Sequence, residues 1–286
     1  MADGTFAHNV VALPHGTETR VHRSRQSARL GGGRFSLLPR RVDRVDFVVA
    51  GVQKAGTTAL HYFLSRHPHV ALPRDQALHF FDQGQNFEDG PNYDALHGNF
   101  DPGWRWRTAG EVTADYVYYT PALPRIAEYN PAMKIVISLR NPADRAFSHW
   151  NMRRAKGREA LDFLAAIERD VKEIPLGKLR GNAHVERGFY TLQMKRVFDL
   201  FPRKQVHVIK YEDFRRDFAR TVTGMFDFLG LEQLPALKNQ ETNAGPYQRK
   251  MTREERHEVA SLFEEDISEL EELIGWNCSD WRPNGK

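Results

Sequence analysis

The sequence predicts an α/β domain, a mainly parallel central sheet flanked by helices. Three observations predict it. A β-branched run, Asp46–Ala50, opens into a loop bracketed by Gly51 and Gly56, with helix-compatible residues from Thr57 onward. A second apolar run, Lys134–Leu139, ends on Arg140 and meets Asn141-Pro142, a helix start. Further on, apolar strands keep alternating with amphipathic stretches, the pattern of a sheet covered on both faces. At 286 residues the chain buries a full core as one domain, and nothing in it marks a second.

Taken in chain order, residues 1–42 differ in kind from the rest. They carry Arg20, Arg23, Arg25, Arg29, Arg34, Arg40 and Arg41, the run Gly31-Gly32-Gly33 and little periodicity, and so read as a flexible basic arm ahead of a domain over 43–286. Strands are expected at Asp46–Ala50, Lys134–Leu139 and Gln205–Lys210. Helices are expected to start near Thr57, Pro142, Leu161, Tyr190, Phe214 and Thr252. The last is expected to run to Ile274, with Val259, Leu262, Phe263, Ile267, Leu270 and Ile274 on one face and glutamates opposite.

Composition narrows the partners. A net charge of +4 is too small, and the basic residues too scattered, for a nucleic-acid stripe, so no nucleic-acid partner is expected. One cysteine, Cys278, excludes a disulfide framework or a cysteine metal site. No apolar run has the length of a membrane span, and Val10–Leu13 is too short for a signal core, so a cytoplasmic protein is expected. Oligomeric state is not encoded in any readable pattern.

The loop and the strand end carry the chemistry. A glycine loop between strand and helix aims backbone N–H groups and the positive end of a helix dipole at an anion. Gly51 and Gly56 have the Walker spacing, but Thr57 stands at the lysine position and the lysine is Lys54, inside the loop. Arg140 lies at the carboxyl end of its strand, where ligands of open α/β sheets bind, and Ser148 follows two helical turns later facing the same place. An ATPase would place a magnesium-holding acid there instead.

Together these segments resemble the PAPS-dependent sulfotransferases (PAPS is 3′-phosphoadenosine-5′-phosphosulfate), nearest their bacterial and heparan-sulfate-type branch. The resemblance rests on Lys54-Ala55-Gly56-Thr57, on Arg140 with Ser148, and on LHFFD at Leu78–Asp82. It extends through GEVTADYVYY from Gly110, the segment from Arg187 to Phe214 and the tail from Gly245 to Trp276. It implies a P-loop-like sulfotransferase fold, PAPS as donor with PAP as product and no metal, and transfer to a hydroxyl, less readily an amine, of a carbohydrate, lipid or natural-product acceptor. Lys54 would neutralise the leaving phosphate, and Ala55, Gly56, Thr57 and Thr58 would hold the 5′-phosphate. Arg140 and Ser148 would hold the 3′-phosphate. Tyr190, with Phe189, is a candidate for the adenine, and Arg249 and Lys250 for the closing loop over the nucleotide.

The acceptor side departs from the family. The glutamate that usually serves as base, two residues before the histidine, is Ala77 here, and the lysine expected after Glu111 is Val112. His79 then becomes the candidate base, with Asp82 or Glu111 orienting it, against a packed structural histidine as the alternative. Glu111 is also a candidate to orient Lys54 or bind the acceptor. Trp104, Trp106, Tyr116, Tyr118 and Tyr119 divide between acceptor pocket and core. The rival readings are a small-molecule P-loop kinase and a non-catalytic nucleotide-binding protein of the same fold.

Overall fold

The computed structural model describes residues 39–103, 105–176, 183–234, 247 and 249–285. Of the expected arm, residues 1–38 lie outside the described residues. Its last part does not hang free: Arg40 pairs antiparallel with Gly103, their N–H···O contacts being 2.8 and 3.0 Å.

In chain order the elements are β1 (Phe47–Gly51), α1 (Thr57–Ser65), β2 (Val70–Ala71), α2 (Tyr93–His97), β3 (Thr108–Val112), α3 (Ala122–Tyr129), β4 (Lys134–Leu139) and α4 (Pro142–Ala155). They continue with α5 (Phe163–Glu173), α6 (Thr191–Leu200), β5 (Val206–Lys210), α7 (Tyr211–Arg216), α8 (Phe218–Leu229), α9 (Arg253–Ser261) and α10 (Glu264–Ile274). The five strands form one sheet in the order β2-β3-β1-β4-β5, every pairing parallel. From β1 the chain runs to the sheet edge for β2, returns to place β3 beside β1, and then crosses to place β4 on the other side of β1. The switch point therefore lies beside β1, between its carboxyl end and that of β4, where such sheets bind ligands.

Strand alternation divides the core between two faces. Phe47 and Val49 pack with Leu60, Phe63, Val136, Phe214 and Phe226 under α1, α7 and α8. Val48 and Ala50 pack with Ile135, Ile137, Leu139, Phe147 and Val197 on the opposite face. This two-sided burial is why β1 and β4 read as unbroken apolar runs. The helix after β4 starts where Asn141 accepts hydrogen bonds from the N–H groups of Ala143 and Asp144 at 3.0 and 3.3 Å, with Pro142 in the first position.

Two expected helices are each two helices. The one expected near Phe214 starts at Tyr211 and is interrupted at Asp217, whose carboxylate caps α8 by accepting from Arg220 N–H at 3.0 Å. The one expected over Thr252–Ile274 is broken at Leu262–Phe263, although its Thr252–Glu255 capping box forms. The apolar stripe continues across the break through Val259, Phe263, Ile267 and Leu270, which pack on the same core, but Leu262, expected on that face, sits at the break and is 37% exposed. Short β2, α2, α3 and β3 were not expected; β3 carries a glycine and a glutamate in its five residues, which hides it from any apolar pattern. Among the described residues no helix is long and apolar enough to cross a membrane.

Candidate active site

The loop after β1 is held from beneath. Val52 N–H donates to Ser138 C=O at 2.9 Å, Ser138 Oγ donates to Ala55 C=O at 2.7 Å, and Arg140 Nη1 donates to Lys54 C=O at 3.1 Å. Those bonds turn the carbonyls down and leave the N–H groups of Gly56, Thr57 and Thr58 without an acceptor among the described residues. Gly56 caps α1 with φ 85°, and no side chain caps the helix. A first turn with open N–H groups and no acidic residue is suited to receive an anion. Gly56 is also sterically required, since a Cβ there would lie 2.9 Å from the ring of Tyr211.

Lys54 has φ 74°, and His79 has φ 52°; they are the non-glycine residues with positive φ among those described. Such a conformation costs on the order of 1–3 kcal/mol and is kept only where the surroundings impose it. Both candidate reacting side chains are thus on imposed backbone.

Positive charge converges on the loop. Lys54 is half-buried, and its pKa is lowered first by burial and then by Arg140, Lys156 and Arg145. Arg140 lies over the ring of Tyr211 at 4.8 Å. Arg145, which sequence reading missed, is wholly buried; it donates from Nη2 to His184 C=O, while its Nε and Nη1 have no partner. Burial pushes its pKa down to about 10. A buried guanidinium with orphan donors amid other cations is a costly arrangement without an anion. The sequence signal that could have found it is its position three residues before Ser148, on the same helical face. Ser148 is itself 3% exposed.

Behind this cluster sits a neutral histidine pair. His149 Nδ1 meets His184 Nδ1 at 2.9 Å, and His184 Nε2 meets Glu159 at 3.1 Å. With Nε2–H donating to the carboxylate, His184 Nδ1 accepts and His149 Nδ1–H donates. Burial holds both pKa values down, that of His184 to about 4.

Two expected ligand residues are engaged within the protein. Tyr190 is 1% exposed, and its hydroxyl donates to Arg140 C=O at 2.8 Å, so it fixes the strand end from behind and offers no face to an adenine. Arg249 is closed in a bidentate bridge on Glu255 at 2.7 and 2.6 Å, near the rings of Phe147 and Trp150. Lys250 is exposed. The neighbouring Gln248 lies outside the described residues, as does Trp104 of the aromatic group. Of that group Tyr116 is buried and Trp106 packs on the core, while Tyr118 and Tyr119 flank the guanidinium of Arg187 at 4.2 and 5.4 Å. Arg187 is paired with Asp115.

At the carboxyl end of β3, next to β1 in the sheet, the groups are acidic. His79 Nδ1 lies 2.7 Å from Asp82 Oδ2, and the Asp82 side chain is 6% exposed against 38% for the imidazole. That hydrogen bond is the main cause raising the His79 pKa, with Asp115 and Glu111 adding to it. A carboxylate at Nδ1 keeps the proton there and leaves the Nε2 lone pair free, the tautomer a base needs. Ala77 is exposed and offers no such group. Glu111 is 0% exposed, and burial raises its pKa to about 7. Among the described residues no hydrogen bond links Glu111 to Lys54, so the expected orientation of Lys54 by Glu111 is corrected: the carboxylate accepts from Leu78 N–H, Thr113 Oγ1 and Tyr116 Oη. Among the described residues no cluster of His, Cys, Asp or Glu has the makings of a metal site.

Comparison with known proteins fits this geometry. Residues 44–264 match the sulfotransferase domain family. The bifunctional heparan sulfate N-deacetylase/N-sulfotransferase 2 of Bos taurus is 30% identical over 201 residues, 65% of this chain and 22% of that protein. The heparan sulfate glucosamine 3-O-sulfotransferase 5 of Mus musculus is 27% identical over 167 residues, 57% of this chain and 46% of that one. The chain thus spans about a fifth to a half of the length of these curated relatives. A sulfotransferase crystal structure from Alicyclobacillus acidocaldarius superposes with a TM-score of 0.71 at 31% identity, covering 84% of this chain and 99% of that one. A phosphate-type loop with its lysine inside, an arginine at the next strand end and a family match over most of the chain lead to one assignment: this protein belongs to the sulfotransferase family.

Proposed function

We propose that the protein transfers a sulfuryl group from PAPS to a hydroxyl of a neutral or cationic acceptor, in a cytoplasmic setting that its buried lone cysteine fits. The observation that carries the donor is the cluster of Lys54, Arg140 and Arg145, with two donors of the buried Arg145 unpartnered, beside open N–H groups of α1. A nucleotide with two separated phosphate groups supplies the missing charge. The open N–H groups take the 5′-phosphate and Arg140, with Ser148, the 3′-phosphate. A magnesium nucleotide would need an acid at the strand end, and Arg140 occupies it.

The reaction follows from the two sides. His79 Nε2 takes the acceptor proton, the acceptor oxygen bonds to sulfur, and the bond from sulfur to the bridging oxygen breaks with its electron pair leaving on the 5′-phosphate. Lys54 neutralises that charge. The acceptor's own charge is argued from the segment bearing His79. Residues 75–100 contain Asp75, Asp82, Glu88, Asp89 and Asp94 and no lysine or arginine. A polyanionic glycan would be repelled there, and Val112 removes the lysine expected to meet one. The test is product mass spectrometry after incubation with PAPS and matched neutral, cationic and polyanionic acceptors. Sulfation of polyanions alone would overturn the charge reading, and no transfer to any acceptor would overturn the activity.

His79→Gln should lower kcat on the order of a hundredfold and leave PAP affinity unchanged. In the parent enzyme the acid limb of kcat/KM should fall above 6.5, because Asp82 raises the histidine pKa. Full activity with an unmoved limb in the variant would place the base elsewhere.

A further inference from the structure

Four consecutive backbone donors of the His79 segment end on one buried hub. Leu78 N–H donates to Glu111 Oε1 at 3.2 Å, and His79 N–H to Thr113 Oγ1 at 3.4 Å. Phe80 and Phe81 N–H donate to Tyr116 Oη at 3.0 and 3.5 Å. The two hydroxyls then both donate to Glu111 Oε1, that of Tyr116 at 2.9 Å and that of Thr113 in a short contact. Every link therefore terminates on a single carboxylate oxygen. The acceptor half of the segment is tied as well, by Asn86 Nδ2 to Phe80 C=O at 2.9 Å and Arg125 Nη1 to Phe81 C=O at 2.8 Å.

We propose that Glu111 is the positioning residue of the acceptor side, holding residues 78–81 through Thr113 and Tyr116 so that His79 keeps its left-handed backbone, and lending its charge to His79. This rests on the reading of His79 as base. A residue with φ 52° and a side chain has to be over-determined by its surroundings, and four converging donors supply that. A neutral acid would be a poorer acceptor for three donors than a carboxylate, so the hub is tightest when Glu111 is ionised. Its second oxygen, Oε2, is buried without a partner, which leaves the charge uncompensated and available at longer range. The charged and titratable groups around it are Asp82 and His79 on the segment itself, Arg125 reaching the segment from α3, Tyr116 within the hub and Asp115 beyond it; Arg187 neutralises the last. Burial pushes the Glu111 pKa up to about 7, so its ionisation falls in the range where His79 must be deprotonated. Base and support then reach their working states together as pH rises through neutrality.

The experiment compares Glu111→Gln and Tyr116→Phe with the parent protein, by PAP calorimetry, pH–rate profiles and NMR titration of the His79 imidazole. Glu111→Gln keeps an acceptor oxygen but no charge. It should bind PAP within about twofold of the parent, lose roughly tenfold or more in kcat, and titrate His79 at lower pH. Tyr116→Phe keeps the carboxylate but frees two loop N–H groups, and should lower kcat with His79 titrating near its parent value. The NMR titration does not depend on His79 being the base, so it separates failure of this proposal from failure of that reading. An unchanged His79 titration in a PAP-binding Glu111→Gln protein overturns the proposal. If Glu111→Gln does not fold, Tyr116→Phe decides alone: parent-like kcat there overturns it, and reduced kcat with parent-like PAP affinity supports it.

Discussion

Lys54→Ala is expected to lower kcat by roughly 10²–10³-fold while PAP affinity changes far less, because its strongest interaction forms only as charge builds on the oxygen leaving sulfur. In the resting protein the lysine is placed at a cost: its backbone has φ 74°, and burial, Arg140, Lys156 and Arg145 all disfavour its charge. A side chain held against those penalties does little for ground-state binding that Arg140 and the helix N–H groups do not already do. Steady-state kinetics at saturating PAPS, with calorimetry of PAP, checks this. A raised Michaelis constant with kcat intact would make Lys54 a binding residue and remove its role in the chemical step.

Arg140→Ala is expected to weaken PAP binding by about 2–4 kcal/mol, some 30- to 900-fold, since it withdraws a half-buried cation from a dianionic phosphate. The variant also loses the bond from Nη1 to Lys54 C=O at 3.1 Å and the stacking on Tyr211. Arg140→Lys separates the two effects, because lysine retains the charge but not the planar fork that reaches both partners. Unchanged PAP affinity in Arg140→Ala, measured by calorimetry without metal, would sink the 3′-phosphate assignment. Partial recovery of kcat but not of affinity in Arg140→Lys would show that tethering the loop is the larger part.

What the sequence made legible follows from how locally each feature is encoded. β4 matches its expected bounds, and β1 and β5 agree to within a residue, because runs buried on both faces leave continuous apolar strings. The start of α4 is written in Asn141-Pro142 itself. β3 was illegible for the opposite reason: its glutamate is buried, and only three-dimensional partners make that tolerable. Lys54 and His79 were legible as residue types, whereas their left-handed backbone was not, since neither is a glycine. Tyr190 and Arg249 were misplaced because spacing says which elements are adjacent but not which partner a side chain prefers. Tyr190 turned to the Arg140 carbonyl, and Arg249 to Glu255 in the first turn of α9, six residues on. Glu111 was seen as a candidate, but its hub of four backbone donors has no sequence signature at all.

On the proposed assignment of the nucleotide site, the cation cluster has a kinetic consequence. PAP retains both phosphate groups of PAPS, so Arg140, Arg145 and the open turn of α1 have almost nothing with which to tell spent donor from fresh. Letting PAP go re-exposes guanidinium groups that repel one another, and that step grows slower as the trap grows stronger. Emptying the site should then pace the cycle, with the first turnover running ahead of the rest. Rapid-quench sampling should show a burst near one product per protein molecule, and a linear trace from time zero would return the bottleneck to bond making. Added salt, by screening the exit path, should speed the slow phase until it begins to loosen capture of the donor.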